Sequence, residues 1–350
     1  MPRSLAAFAL PALVLFWLIA QAPAAPQEPK AGAKAPSGEN KAASDEKSEE
    51  AAPIKVEVNV VNVFFTVRNK QNGLVGNLTK DDFTVFEDNK KQEIRYFTRE
   101  TDLPLTMGLL IDVSPSQGNL IEIEREAASQ FFGSVLRPKD LAFLISFGGE
   151  TDLLQDYTSS PQLLRASMKG LKVNADVGGL EPGPVPTIYD PKGTVLYDAV
   201  YLASHDELHG QVGRKALILI TDGEDQGSHY KINDAIQQAQ KADAIIYSIQ
   251  YVDRGFYFSH GAFYGGGSAL ERMSAETGGR VFSVDRKHPL TDVFREIQEE
   301  MRSQYALAYT PTNTKRDGSY RKIEIRPSSK EYKVQCRKGY YATPNDEGEE

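Results

Sequence analysis

Cysteine is almost absent from this chain: Cys336 is the only one in 350 residues. No disulfide can close within the chain, so stability has to come from apolar burial, which a core built from about 300 residues can supply. Cys336 lies in the strand-like segment Tyr332-Lys-Val-Gln-Cys-Arg337 and reads as a small half-buried strand residue, not a reactive thiol. Basic runs are missing as well. A formal net charge of −8, with no cluster of Lys and Arg to neutralise phosphates, argues against a nucleic-acid partner. No apolar run has the length of a membrane span, since the N-terminal one, Leu5 to Ala20, is short and broken by Pro11. No G-x-G-x-x-G follows the first buried strand, so dinucleotide binding has no support. No G-x-S-x-G surrounds Ser114, so a nucleophile elbow has none either.

What is present fits a globular protein of one large domain or two, at 40% hydrophobic and 25% charged residues. Residues 1–25 read as a secretory signal, with Arg3 as the positive region, Leu5 to Ala20 as the apolar core and Ala22-Pro23-Ala24 as the cleavage site. Cleavage would give an exported protein, periplasmic, cell-surface or secreted. An uncleaved segment would anchor the chain to a membrane. No Cys follows the apolar core to carry a lipid. Residues 26–53 are Ala, Pro, Lys, Glu and Ser with few large apolar side chains, the composition of a disordered tether.

From Ile54 the pattern is β. Val56, Val58 and Val60 alternate in one phase and Val61, Val63, Phe65 and Val67 in the other, which predicts a bulge between Val60 and Val61. Asn72-Gly73 and Asp88-Asn89 mark turns. Residues 54–100 thus read as an all-β segment too small to stand alone. From Leu105 strands and helices alternate. Strands are expected over 105–111, 141–145, 152–157, 216–220, 244–250 and 280–284, and helices near 118–136, 161–171, 194–208, 233–241, 269–276 and 290–303. The helix near 118–136 is read with Leu120, Ile123, Ala127, Phe131 and Val135 as its apolar stripe. Repeated βα units with near-continuous apolar strands imply a doubly wound, mostly parallel sheet. Residues 304–343 turn β again, ahead of an acidic tail at 344–350. The two β segments are expected to pair as one small sandwich that carries the α/β domain, 103–303, as an insert.

Three segments put oxygen ligands at the carboxyl edge of that sheet, where open parallel sheets bind ligands. The first is Asp112-Val-Ser114-Pro-Ser116, directly after Met107-Gly-Leu-Leu-Ile111. The second is Gly193-Thr194, placed at a helix N-terminus. The third is Leu217-Ile-Leu-Ile-Thr221-Asp222-Gly223. Hard divalent cations take carboxylate and hydroxyl oxygens of this kind, although each residue alone is also an ordinary turn or capping residue.

With the three segments in this order, residues 103–303 resemble the von Willebrand factor type A (VWA) domain. The flanks, including Leu78-Thr-Lys-Asp-Asp-Phe-Thr-Val-Phe-Glu-Asp88, resemble those of bacterial exported VWFA-related proteins. The resemblance implies a doubly wound fold and a metal-ion-dependent adhesion site (MIDAS) holding Mg²⁺ or Mn²⁺ at Asp112, Ser114, Ser116, Thr194 and Asp222. Ser114 and Ser116 would ligate directly, and Thr194 and the aspartates directly or through water. It further implies a non-enzymatic adhesion or assembly module whose protein partner offers an Asp or Glu carboxylate to complete the ion's shell. The alternative is a metal-dependent hydrolase of phosphoesters or peptides. Asp225 could support the site or be a solvated loop residue. Specificity is assigned to residues 176–192 and to the aromatic stretch 255–267, whose rings either form a contact surface or fold down as a lid.

Two signals are set aside. His205-Asp-Glu-Leu-His209 spaces two histidines like a zinc-protease helix, but Asp206 stands where those enzymes need Glu. On a helical wheel both histidines point away from Leu196, Val200 and Ala203, toward solvent. A phosphate-transferring use of Asp112 would want a basic or acidic helper, and the site motifs supply only Lys192.

Overall fold

The computed structural model describes residues 60–99, 103–173, 193–260 and 265–343, apart from the side chains of Arg254, Phe256 and His260. Four strands open it: β1 (Val61–Arg68), β2 (Phe83–Glu87), β3 (Lys90–Gln92) and β4 (Ile94–Arg99). The α/β part begins with β5 (Leu105–Asp112), α1 (Ile121–Val135), β6 (Leu141–Phe147), β7 (Thr151–Thr158) and α2 (Pro161–Met168). It continues through α3 (Leu196–Leu202), β8 (Arg214–Thr221), α4 (Ile232–Lys241), β9 (Ala244–Gln250), α5 (Arg254–His260), α6 (Gly267–Thr277), β10 (Val281–Ser283) and α7 (Leu290–Arg302). The last strands are β11 (Tyr305–Tyr309), β12 (Tyr320–Pro327), β13 (Lys333–Cys336) and β14 (Gly339–Tyr341). Among the described residues no helix is long and apolar enough to cross a membrane.

Six strands form one sheet in the order β10-β9-β8-β5-β6-β7. All neighbours run parallel except β6 and β7. Strands covered on both faces need apolar residues at every position, and all eight residues of β5 are buried. Leu105, Met107, Leu109 and Ile111 share a core with α1, α2 and α7. Leu110, on the other face, joins α3, α4 and α6. On that face Gly108 makes room for Phe143, whose ring would lie 2.3 Å from an added Cβ. The domain is therefore the doubly wound, mostly parallel fold expected from the strand and helix rhythm. From β5 the chain passes through α1 to β6 on one side and later crosses to β8 on the other. The order reverses between β5 and β8, and the carboxyl ends of those two strands flank the crevice where such sheets bind ligands.

The flanking segments form two four-stranded sheets, β13-β1-β11-β4 and β14-β12-β2-β3. β1 pairs antiparallel with β11 and β13, and β2 with β12, so chain from both ends of the α/β part builds one sandwich. Phe65, Phe83, Tyr305 and Ile325 lie in its core. Cys336 is a buried strand residue there, opposite Phe65, and burial pushes its thiol up to about 11, away from reactivity. Asp88 and Asn89 have φ of 46° and 65°, the left-handed pair that a two-residue hairpin turn of type I′ requires.

Several expectations are corrected. In α1 the expected Ala127, Phe131 and Val135 are buried, together with Ile121, Glu124, Ala128, Ser129 and Phe132, whereas Ile123 is 51% exposed. α3 starts at Leu196, not Thr194, and residues 203–208 widen into a π turn. Residues 254–260 form a short helix that the sequence pattern did not announce. β3, β4 and β14 are strands that the alternation did not announce. The segment preceding the expected bulge, 54–59, lies outside the described residues, as do 1–53, 174–192 and 344–350.

Candidate metal site at the sheet edge

β5 delivers Asp112 to the crevice with its residue fully buried. Two groups fix its carboxylate. The Ser114 N–H donates to Oδ1 at 2.9 Å, and the Thr221 hydroxyl, from the tip of β8, donates to Oδ2 at 2.6 Å. Thr221 Oγ1 in turn accepts the Gly223 N–H at 3.0 Å. After Ser114 the chain enters a single 3₁₀ turn, Pro115–Gln117, with proline at its first position. Proline suits that position because its φ is preset and its missing N–H is not needed there. The turn brings Ser116 back beside Ser114, with the hydroxyl oxygens 3.0 Å apart.

Ser116 links this segment to Asp222, donating to Oδ2 at 2.6 Å. The same oxygen accepts from Gln117 Nε2 at 3.1 Å and from the Tyr257 hydroxyl of α5 at 2.8 Å. Asp222 Oδ1 accepts the Glu224 N–H at 3.1 Å. Gly223 follows at φ 90°, and an added Cβ would collide with the Gly266 carbonyl at 2.6 Å, so only glycine lets the β8 tip pass this close to the start of α6.

The electrostatics of this crevice are one-sided. Burial, and then the charge of Asp222, raise the Asp112 carboxyl to about 7. Glu124, in the first turn of α1 and 0% exposed, is raised well above the usual range by burial and by the charges of Asp112 and Asp222. No Lys, Arg or His forms an ion pair with any of the three among the described residues. Buried carboxylates are ordinarily paired or coordinate a metal. Two aspartates and two neighbouring hydroxyls form a hard-oxygen set, which suits a divalent cation of the Mg²⁺ class. Among the described residues no three His, Cys, Asp or Glu side chains are grouped to hold a metal, so hydroxyls would have to supply part of any shell, and Glu124 is not a direct ligand.

Asp112, Ser114, Ser116 and Asp222 are thus brought together. Thr194 is buried, but the hydrogen bonds joining those four do not extend to it. Its backbone forms an isolated bridge with Gln226, at 3.3 and 2.7 Å, and Val195 N–H donates to Gly148 O at 2.8 Å. That bridge holds the loop between the tips of β6 and β8, and Thr194 sits two residues before α3, not at its first turn. Asp225 caps α3 instead: its Oδ1 accepts from the Tyr197 N–H at 3.2 Å and from the Ser228 hydroxyl. The aromatic stretch divides, with Tyr257 turned down onto Asp222 while Phe258 is 90% exposed. His205 and His209 face solvent in a row of stacked rings with Tyr201 and Tyr230, as the helical wheel indicated. Lys192 lies outside the described residues.

Four contributors were not singled out from sequence: Gln117, Thr221, Tyr257 and Glu124. Thr221 directly precedes Asp222 at a strand tip, where its hydroxyl must meet something. Glu124 carries a sharper signal, since a stripe through Ile121, Ala128 and Val135 contains it.

No family model matches the chain, and no curated protein matches it. Solved structures do. An aerotolerance-related membrane protein from Bacteroides fragilis is similar at 16% identity and a TM-score of 0.42, over 56% of this chain and 98% of that one. Proximal thread matrix protein 1 from the mussel byssus, described with a zinc-occupied MIDAS motif, is similar at 12% identity and a TM-score of 0.44, over 61% of this chain and 50% of that one. The VWA domain of SpRpn10 is similar at 14% identity and a TM-score of 0.36, over 56% of this chain and 95% of that one. The site assignment stands on this chain's own geometry.

Proposed function

We propose that the chain is an exported, non-enzymatic binding module that holds Mg²⁺ or Mn²⁺ at Asp112, Ser114, Ser116, Thr194 and Asp222. It recognises a protein partner through an Asp or Glu carboxylate that completes the ion's shell. The observation that carries this reading is the pairing of Asp112 and Asp222 in the crevice where the strand order reverses. Both are buried and without a basic side chain, and they are joined through Ser114, whose N–H bonds Asp112 and whose hydroxyl meets the Ser116 hydroxyl that donates to Asp222. A cation bound there supplies the positive charge that draws an anionic partner group. The chain's own part is to hold the ligands still: Thr221 and the Ser114 N–H fix Asp112, Pro115 sets the turn, and Gln117 and Tyr257 orient Asp222. The groups that touch the two carboxylates are hydroxyls and amides, which supports binding over proton-transfer chemistry. Export is supported by the signal-like residues 1–25.

A pull-down from a cell-envelope fraction tests the proposal. Partner capture is expected with Mg²⁺ and is expected to disappear with chelator or in Asp112→Ala. Equal capture under all three conditions contradicts it. Metal-dependent turnover of phosphoesters or peptides above background would replace it with the hydrolase reading.

A further inference from the structure

We propose that Glu124, together with Gln117 Oε1, forms an outer ring of acceptors that takes hydrogen bonds from the water carried by the cation. The inference rests on the cation reading above and adds two residues to it. Glu124 is 0% exposed, and neither of its carboxylate oxygens has a hydrogen-bond partner among the described residues. Gln117 is also fully buried. Its Nε2 donates to Asp222, and its Oε1 has no partner. The amide orientation follows from that contact, because the reverse would set an amide oxygen against a carboxylate. Three acceptor atoms without donors thus lie buried on the short run from the D-x-S-x-S turn to the first turn of α1.

Buried polar atoms are almost always satisfied, and a group of unsatisfied ones points to a ligand. With Glu124 ionised every unsatisfied atom is an acceptor, so the species that completes the group in that state is a donor or a cation. The charged and titratable groups that act on Glu124 are Asp112 and Asp222, and Glu124 acts in turn on the half-buried Tyr251 phenol beyond β9. None of these is a cation. Glu124 does not group with the aspartates closely enough to ligate the same ion. Mg²⁺ dehydrates reluctantly and keeps several waters when protein-bound, and those waters need acceptors. An α1 position in the middle of an apolar stripe is a costly place for a carboxylate unless such donors come to it. A third negative charge behind the ligands also favours a small divalent cation over none. Glu124 is in this account a positioning residue, acting on the ion through water.

The test uses the full chain with MgCl₂ and CaCl₂ in parallel, comparing wild type, Glu124→Gln and Asp112→Ala by titration calorimetry and thermal unfolding. Glu124→Gln keeps size and shape and removes the charge. Its Mg²⁺ affinity is expected to fall by about 10–100-fold, the usual effect of losing an outer partner of a metal site. The loss for Ca²⁺ is expected to be smaller, because Ca²⁺ depends less on retained water. The metal-free variant is expected to melt at the same temperature as wild type or higher, since a buried unpaired carboxylate has gone. Mg²⁺ affinity within about twofold of wild type would overturn the inference. So would a metal-free variant that fails to fold or melts lower, because that marks Glu124 as merely structural. Wild type that takes up no Mg²⁺ overturns the cation reading and the role of Glu124 with it. Wild type that binds while Glu124→Gln binds equally well overturns the role of Glu124 alone.

Discussion

Two sets of buried carboxylates in this molecule are treated in opposite ways. Away from the crevice three of the buried carboxylates meet an arginine, and a fourth, Asp198, is held by His229 and by the His229 and Tyr230 N–H groups. Glu300 pairs with Arg68 at 2.6 Å and Arg280 at 2.9 Å and accepts from Gln335 at 3.0 Å, joining α7 to β1 and β13 of the sandwich. Asp140 pairs with Arg302 at 2.8 Å. Glu87 has Arg321 at 3.5 Å and the hydroxyls of Tyr309 and Tyr340 at 2.8 and 3.0 Å. In the crevice Asp112, Asp222 and Glu124 have hydroxyls, amides or nothing. One fold thus neutralises its structural carboxylates with its own side chains and leaves those at the strand tips to be neutralised by something else.

The sharpest way to break the comparison is to make the same change in both regions. Glu300→Gln leaves two arginines facing a neutral amide, and breaking a buried pair costs about 3–5 kcal/mol. Urea unfolding should show a loss of that order, with some relief because Arg68 and Arg280 are partly solvated. Asp112→Asn should move stability the other way. Measured without metal at about pH 8, it should gain about 1–3 kcal/mol, because an amide is cheaper to bury than an unpaired carboxylate. If Asp112→Asn destabilises the metal-free protein, Asp112 is a structural residue and the contrast collapses.

A smaller effect should appear on changing pH. Asp112 titrates near 7 in the folded protein and near its ordinary 3.8 when unfolded. The folded state therefore binds the extra proton between those values. The stability linked to that proton is full below about pH 4 and is lost as pH rises toward about 7. Metal-free wild type should accordingly lose stability from about pH 5 to 7 relative to Asp112→Asn, by at least ~1 kcal/mol. Cation affinity should run the opposite way and weaken as pH falls below about 7, since proton and cation compete for one carboxylate. Parallel stability curves for the two proteins would remove this account of Asp112. The smallest effect expected is that of Tyr257→Phe. It removes one of the three donors to Asp222 Oδ2 and should cost about 1 kcal/mol or less in thermal unfolding. A larger loss would make α5 a structural brace rather than a cover on the site.

Much of this arrangement was readable from the residues because the chemistry sits at the ends of long apolar runs. β5 and β8 are buried along their length, which fixes where they stop, and Asp112 and Asp222 stand at those stops. Ser114 and Ser116 followed from two-residue spacing. The pairing of the outer β segments followed from neither being large enough to close a core. What escaped has physical causes. At 100° per residue Glu124 falls inside the stripe whether it is drawn through Ile123 or through Ile121, and it escaped because a carboxylate is not counted among the apolar residues that define a stripe. Tyr257 lies among glycines and aromatics whose order carries no helical period, so α5 was invisible. β4 alternates weakly because most of its residues are exposed, and β3 and β14 are three-residue strands held by their neighbours. Thr194 was assigned to a helix start, whereas tertiary bridging to Gln226 keeps it extended.

Cation uptake by the full chain tests the central claim most directly. Titration calorimetry with MgCl₂ at about pH 8 should give saturable uptake of a single ion in wild type and no binding heat in Asp112→Asn. Wild type without uptake, or Asp112→Asn that binds as wild type does, would contradict the claim that the strand-tip carboxylates are held for a cation.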